Sequence, residues 1–449
     1  MRRTVSRFLA ASLLLACLAV HAATRPRYGG TLRIELRVSP NSLDPADRNS
    51  AAYLTSLLFD ELVGVSNDGS PAPRLARAWQ HTDDFKHWRF SLRPGLKLDD
   101  GSPLTAGAVA SALQTTAPDL RVKAAADDIV IDSDSPRPSL AAELALPRHA
   151  IAIRRPDGGF AASGPFRVAS FQSGRHAELR ANDFCWAGRP FLDTIQIDFN
   201  KNLREQALDF DLGKADAVEV SPDQIRRLAQ DGRRVAASAP TDLLALAFDP
   251  HHAAAGDARL RQGIALAIDR AAIQSVLLQR QGEVSGALLP QWISGYAFLF
   301  PTAVDLTTAR QLRNQVAAFA PLTLAYDPSD PLSRAIAERI AVNARDINVT
   351  VQPVANGTAD MSLVRVALDS PSGAGALANV AASLDLGAVA APTAPDQLYA
   401  SERDLLAPAQ IIPLLHIPEA FVLGPRVRNW TEPPAGGFPL ADVWVEGER

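Results

Sequence analysis

Residues 163–199, SGPFRVASFQSGRHAELRANDFCWAGRPFLDTIQIDF, constrain the fold more than any other stretch of this chain. Ser163-Gly164-Pro165 is turn chemistry, because glycine tolerates dihedrals that other residues avoid and proline fixes its own φ. Phe166 and Val168 flank polar Arg167, the alternation of a half-buried strand. A second strand is predicted over His176–Arg180, leading into Asn182, Asp183 and the aromatic pair Phe184 and Trp186. After the turn Ala187-Gly188-Arg189-Pro190, Ile195, Ile197 and Phe199 mark a third strand with period two. By pattern alone the segment is a β-meander with no stated purpose.

At 449 residues the chain is longer than one typical domain, so two or three lobes are expected. Hydrophobic residues make up 47% and charged residues 21%, an ordinary globular balance with ample core material. The formal net charge of −4 is too mild and too evenly spread for a nucleic-acid binder. Two cysteines far apart exclude a disulfide scaffold or a cysteine-rich zinc site.

The N-terminus reads as a targeting signal. Arg2, Arg3 and Arg7 form a basic start, Phe8–Val20 is an apolar run, and Val20-His21-Ala22 offers a small-residue cleavage site. Residues 1–22 are therefore expected to be removed, giving an exported, periplasmic protein starting near Ala23. Losing three arginines and no acid would shift the formal charge from −4 to −7. Leu14-Leu15-Ala16-Cys17 leaves a second reading, a lipoprotein anchored through Cys17; the indifferent fit of Leu15 favours the soluble form. The apolar run is too short for a comfortable membrane span.

Along the chain, Thr31–Val38 alternates as a first strand and Tyr53, Leu57, Leu58 and Leu62 fit an amphipathic helix. Trp88, Phe90 and Leu92 make a strand, Asp100-Gly101 a turn, and Thr105 caps a helix running to Leu113. Asp99 and Asp100 point to opposite faces if they lie on a strand, so they read as solvated turn acids. His81 and His87 read as surface residues. Leu203–Phe210 is expected to be a helix, Ala217–Val220 a strand, and Ser221-Pro222-Asp223 the start of another helix. Leu243–Phe248 is continuously apolar, as a buried strand would be. Leu260, Ile264 and Ile268 share a helical face, with Asp269 placed to cap the next helix. A strand at Leu322–Tyr326, a helix from Asp330-Pro331 to Ala344 and a strand at Ile347–Val351 form a βαβ unit, which implies parallel pairing. Met361–Leu368 is a further strand, and Ser370–Pro395 reads as loop and loose helix.

Four separated blocks carry a resemblance. "YGGTLRI", "NSLDP" and "LFDELV" open the chain; "PRLARAW" and "WRFSLRPGLKLDDGSPLTA" follow; then come "SGPFRV" with "LRANDFCWAGRPFLDTIQIDF", and "DARLRQGIALAIDRAAI". In this order they resemble the peptide- and nickel-type solute-binding proteins of extracellular family 5, which feed ATP-binding-cassette importers. That family usually reads Gly-Thr-Gly-Pro, then Asn-x-x-Tyr-Trp-x-Gly-x-Pro; here Ala162 and Ser163 replace the first Gly and the Thr, and Cys185 the Tyr. The chain looks like a shortened copy.

The resemblance implies a bilobal α/β fold of the type II periplasmic-binding-protein kind, two lobes joined by a hinge with a small extra subdomain. It divides the chain into a first lobe (23–60, 159–247 and 417–449), a small subdomain (61–158) and a second lobe (248–416). It implies a monomer that takes a small solute, such as a peptide, by lobe closure and passes it to permease subunits. Peptide-binding members carry Trp-x-Ala-Asp-Tyr, whose Asp receives the ligand's α-amino group. The matching run is Val366–Ser370, which puts Asp369 at that anchor; Tyr53 and Trp292 lie near ligand-facing segments.

No Gly-x-Ser-x-Gly, Walker loop, dinucleotide fingerprint or His-Glu-x-x-His occurs, so no catalytic residue and no cofactor is expected. Adjacent His251 and His252 converge poorly on one ion and no third ligand is apparent, so no metal is expected either. The rival readings are an exported hydrolase-type enzyme and an orphan sensor descended from a binding protein.

Overall fold

The computed structural model describes residues 25–47, 52–66, 69–156, 158–249, 251, 256–317, 319–368, 370–387, 389, 394–431 and 438–447. The signal segment with Cys17, His252 and Asp369 lie outside the described residues, as does the side chain of Tyr53.

One eleven-stranded sheet runs through the molecule. Its main strands are β1 (Thr31–Glu35), β2 (Phe166–Gln172), β3 (His176–Ala181), β4 (Thr194–Asp198), β5 (Ala217–Glu219), β6 (Arg234–Phe248), β7 (Leu322–Tyr326), β8 (Val351–Ala355), β9 (Met361–Val366) and β10 (Ile411–Leu423). Their order is β2-β3-β4-β1-β5-β10-β6-β9-β7-β8, with the short Glu283–Val284 also on β10. The meander expected from residues 163–199 is present: β2, β3 and β4 pair antiparallel in sequence order. A βαβ unit is present too, with β7 and β8 parallel and joined by the helix Pro331–Arg345, but its second strand begins only at Val351, where the stretch expected from sequence ends.

Separate cores lie along this sheet, because its two faces are covered by different elements at its two ends. Leu32, Ile34, Phe166, Leu179, Ile195 and Ile197 pack together with Phe421 and Trp430 at one end. At the other, Leu246, Leu260, Ile264, Ile336, Ile340 and Met361 form a second core, backed by a third around Leu243, Leu288, Val366 and Leu377. Leu243, Leu244, Ala245, Leu246 and Phe248 are all members of these two cores.

A four-stranded antiparallel sheet, Ala76–His81, His87–Leu92, Asp128–Asp132 and Arg121–Ala125, builds the small subdomain over its own core of Phe90, Val109, Leu113 and Ile131. Thr105 caps its helix as expected, accepting from the Ala108 amide at 3.2 Å.

Local predictions fail where tertiary contacts intervene. Asp99 is not a solvated turn acid: its side chain is 5% exposed and 2.7 Å from Arg155, and its peptide N–H donates to Ala162 O. Asp100 alone behaves as a turn acid, accepting from the Ser102 amide. Ser221 does not cap a helix with its side chain; its hydroxyl donates to Asp223, and a 3-10 turn over Pro222–Gln224 precedes the helix Ile225–Gln230. The stretch after Ser370, expected as loop and loose helix, holds a regular eleven-residue helix, Gly373–Ser383, whose alanine content favours it once Leu377 and Val380 find a core.

Candidate functional site

The conspicuous aromatic motif of the meander turns out to be a structural joint. Leu58 and Phe59 belong to the first lobe's core and Leu62 and Val63 to the subdomain's, so Asp60 and Glu61 sit where the chain passes between them. Asp60 is 3% exposed and accepts from Arg74 Nε at 2.7 Å, Trp186 Nε1 at 2.9 Å and Ser163 Oγ at 3.0 Å. The Arg74 guanidinium, pulled towards neutrality by burial, is held charged by Glu61 and Asp60, and Arg93 lies over the Trp186 ring at 4.4 Å. Gly164 packs so closely on Leu58–Phe59 that a Cβ there would sit 2.6 Å from the Leu58 carbonyl. Ser163, Gly164 and Trp186 thus hold the first lobe to the subdomain, a task the period-two pattern could not reveal.

The two ends of the large sheet are linked by β6 and β10, which cross side by side. Their register slips between Ala237 and Pro240 and again before Asp242, and Pro240 stands opposite Pro418. Proline has no N–H, so the ladder is interrupted from both strands at one level. Side chains take over there. Ser238 Oγ accepts from the Glu419 amide at 3.0 Å and donates to Ala239 O, and Thr241 Oγ1 donates to Asp242 at 3.2 Å. Sparse backbone bonding at two adjacent crossing strands is what a hinge requires.

Beside the crossing lies a cavity of about 880 Å³. Its floor is apolar and belongs to the first lobe: Phe210, Val218, Leu228 and Val422 form a small cluster of their own. The facing wall, Pro328, Pro331 and Leu332, comes from the turn after β7 in the second lobe. A volume of this size suits a small solute, and its walls come from both lobes.

Charged side chains gather beside the crossing. Arg37 follows β1; its guanidinium lies 3.6 Å from Glu219 of the same lobe and 3.8 Å from Asp330, the cap of the second lobe's helix Pro331–Arg345. Arg365 on β9 donates to Asp242 at 2.6 Å. Glu419 on β10 lies among Asp242, Arg365, Glu219 and Arg37; burial first, and then the Asp242 carboxylate, push its carboxyl up to about 7.

A second polar group lies in the second lobe. Buried Glu402 accepts from the Leu289 amide at 3.0 Å, from the Leu288 amide and from Tyr296 Oη at 2.7 Å. Burial pushes its carboxyl up to about 7 despite these bonds. His416 Nε2 meets Leu288 O at 3.0 Å, so this one peptide is held from both sides. Burial pulls the His416 imidazole down to about 4. The loop so fixed leads to Trp292, whose indole N–H donates to Pro240 O at 2.9 Å while the residue stays 42% exposed.

Of the residues expected at the site, Trp292 thus stands at the crossing. Tyr53 lies on the helix Ala52–Leu58, and Asp369 is outside the described residues. Sequence reasoning missed Arg37, Asp242, Glu219, Arg365 and Glu419. Each sits in a stretch that reads as strand or loop, and only the crossing of distant strands gathers them. Among the described residues no group of three His, Cys, Asp or Glu side chains is placed to hold a metal ion, and no helix is long and apolar enough to cross a membrane.

Comparison with known proteins agrees with this architecture. The "Bacterial extracellular solute-binding proteins, family 5 Middle" profile matches residues 70–383. The probable D,D-dipeptide-binding periplasmic protein of Escherichia coli K12 is 26% identical over 361 residues, covering 71% of this chain and 69% of that protein. The nickel-binding periplasmic protein of the same organism is 23% identical over 401 residues, 78% and 75% of the two chains. Among solved structures, Brucella suis NikA in complex with Fe(III)-EDTA superposes with a TM-score of 0.78 at 19% identity, covering 93% of this chain and all of that one. Helicobacter pylori DppA in complex with the peptide STSA gives 0.78 at 16% identity, covering 94% and 99%. The chain belongs to the bacterial extracellular solute-binding proteins of family 5, the extracytoplasmic binding components of ATP-binding-cassette importers, with their bilobal α/β fold.

Proposed function

We propose that this chain captures a peptide or a similar small amine-bearing solute between its two lobes and hands it, chemically unchanged, to importer permease subunits. The observation that carries the proposal is the paired crossing at Pro240 and Pro418, which gives two lobes a shared hinge beside a cavity walled by both. The relatives named for D,D-dipeptides and for the peptide STSA support the solute class.

On this reading the lobes are residues 23–60, 159 to about 241 and 417–449 on one side and the intervening chain up to 416 on the other, with 61–158 the small subdomain. Asp369 anchors the solute's amino group, and Tyr53 and the open ring of Trp292 pack against its side chains. Binding without chemistry fits the ionisable groups. His416 and His149 are buried imidazoles pulled down to about 4 and about 3 by burial, and burial raises the Cys185 thiol, so none is poised as base or nucleophile. Residues 1–22 direct export to the periplasm, where the protein acts as a monomer.

Mass spectrometry of solute released from natively purified protein tests the proposal. A stoichiometric small solute, rebinding saturably with compaction in small-angle scattering, is expected. Turnover of that solute, or an unchanged radius at saturation, would defeat it.

A further inference from the structure

The small subdomain touches the second lobe as well as the first. Asp60 and Gly164 fasten it to the first lobe, so any contact it makes with the second spans the two lobes. Two such contacts lie at the start of the helix Gly373–Ser383. A Cβ on Gly375 would sit 2.8 Å from Cδ2 of Leu146, which follows the subdomain's short helix Leu140–Glu143. A Cβ on Gly69, in the turn between Val63–Val65 and Pro71–Pro73, would sit 2.7 Å from Pro371 O. At both places the absence of a side chain is what lets the two bodies meet. Leu146 is 2% exposed, yet it stands outside the subdomain core that takes Leu140 and Leu144.

We infer that the small subdomain is a clasp: by seating Leu146 on Gly375 and Gly69 on Pro371 it holds the two lobes closed, outside the crossing strands themselves. The inference rests on the two-lobe closure of the reading above and is independent of the solute's class. Crossing strands permit closure, but a contact made only in the closed arrangement is what favours it. Burying one leucine side chain is enough to shift such an equilibrium by about tenfold to a hundredfold.

The seam is built to part again. A groove of about 490 Å³ runs along it, with Ala142 and Leu146 on the subdomain side and Ala374, Ala378 and Val389 on the other. Contact between the bodies is therefore local, unlike the continuous packing inside each core. Leu146 loses little of its own subdomain's packing when the lobes separate, because its burial comes from across the seam. A solute held in the closed form gains from the clasp, since its apparent affinity scales with the fraction of protein already closed.

Spin labels on Lys123→Cys and Ala382→Cys, both exposed, report the separation of subdomain and second lobe in the full mature chain, with Cys185→Ser as background. Pulsed electron resonance is run on the protein as purified and after exhaustive dialysis. Dialysed wild type is expected to hold a short-distance and a long-distance population. Leu146→Ala should lower the ratio of short to long by about tenfold, and should speed release of any solute retained on purification by a similar factor, followed by mass spectrometry. Leu146→Met refills the space and should restore both. A Leu146→Ala protein with the wild-type distances overturns the inference, even if its urea midpoint falls, because Leu146 then serves the subdomain alone. One unchanging distance in wild type, as purified and dialysed, overturns it too. If no solute is retained, the distances still decide the clasp, and the missing solute counts against the solute-binding reading alone.

Discussion

Replacing Asp60 by alanine should loosen the joint between the first lobe and the small subdomain. The carboxylate is 3% exposed and has three donors. Breaking a buried ion pair by removing one partner costs about 3–5 kcal/mol. Arg74 keeps Glu61 at 3.2 Å and its side chain is 32% exposed, so this part falls well below that range, near 1–2 kcal/mol by rough discount. The Ser163 hydroxyl and the Trp186 indole N–H lose their acceptor, at roughly 1 kcal/mol each. Together the loss comes to about 3–4 kcal/mol. Urea titration followed by tryptophan fluorescence is a direct assay, because Trp186 reports on the joint itself. Asp60→Asn, which keeps one acceptor, should lose about half as much. Affinity for the retained solute should hardly change, since Asp60 faces neither the crossing nor the cavity. A loss below about 1 kcal/mol, or an affinity change without a stability change, would refute the assignment of this motif to structure rather than to ligand.

Gly164→Ala should destabilise by about 2 kcal/mol or more, because the new methyl meets backbone, which cannot swing aside; a urea midpoint matching wild type would contradict the close approach. For Glu402, the folded-state value of about 7 lies above the ordinary 4.5, so ionisation opposes folding and stability is lost as pH rises from about 4.5 through 7. Glu402→Gln removes that loss and should be the more stable protein at about pH 8 by up to about 3 kcal/mol, with little gain at about pH 5; parallel pH profiles would contradict it. His416 works the other way. Its folded value of about 4 lies below 6.5, so its contribution is lost as pH falls from about 6.5 to 4, and His416→Gln should blunt acid unfolding there. Asp369→Ala should weaken binding of an amine-bearing solute by about tenfold to a hundredfold, or roughly 1.5–3 kcal/mol; a change under threefold by calorimetry would leave Asp369 a loop acid.

Much of the secondary structure was legible because it rests on local physics. The alternation of Ile195 and Ile197, the apolar run Leu243–Phe248, and the caps Thr105, Asp269 and Asp330 each follow from interactions within a few residues of chain. The order of the family's motif blocks carried the bilobal fold further than periodicity does. Reading failed where a residue's partner lay far away in sequence. Asp99 looked solvated because nothing near it announces Arg155, 56 positions on. Trp186 read only as part of an aromatic pair, because its acceptor, Asp60, lies 126 positions earlier.

The sequence by itself determined a two-lobed α/β chain without an enzyme's motifs, because strands, caps and turns are written in short windows and the order of its motif blocks resembles that of a known family. Only the tertiary structure decided where the lobes meet. Pro240 and Pro418 are ordinary strand prolines until β6 and β10 are laid side by side, and only then do they remove both donors at one level. The charge cluster beside the crossing was settled in the same way. Arg37, Glu219, Asp242, Arg365 and Glu419 lie on five different strands or strand ends, and electrostatic energy depends on distance through space, which no local window contains.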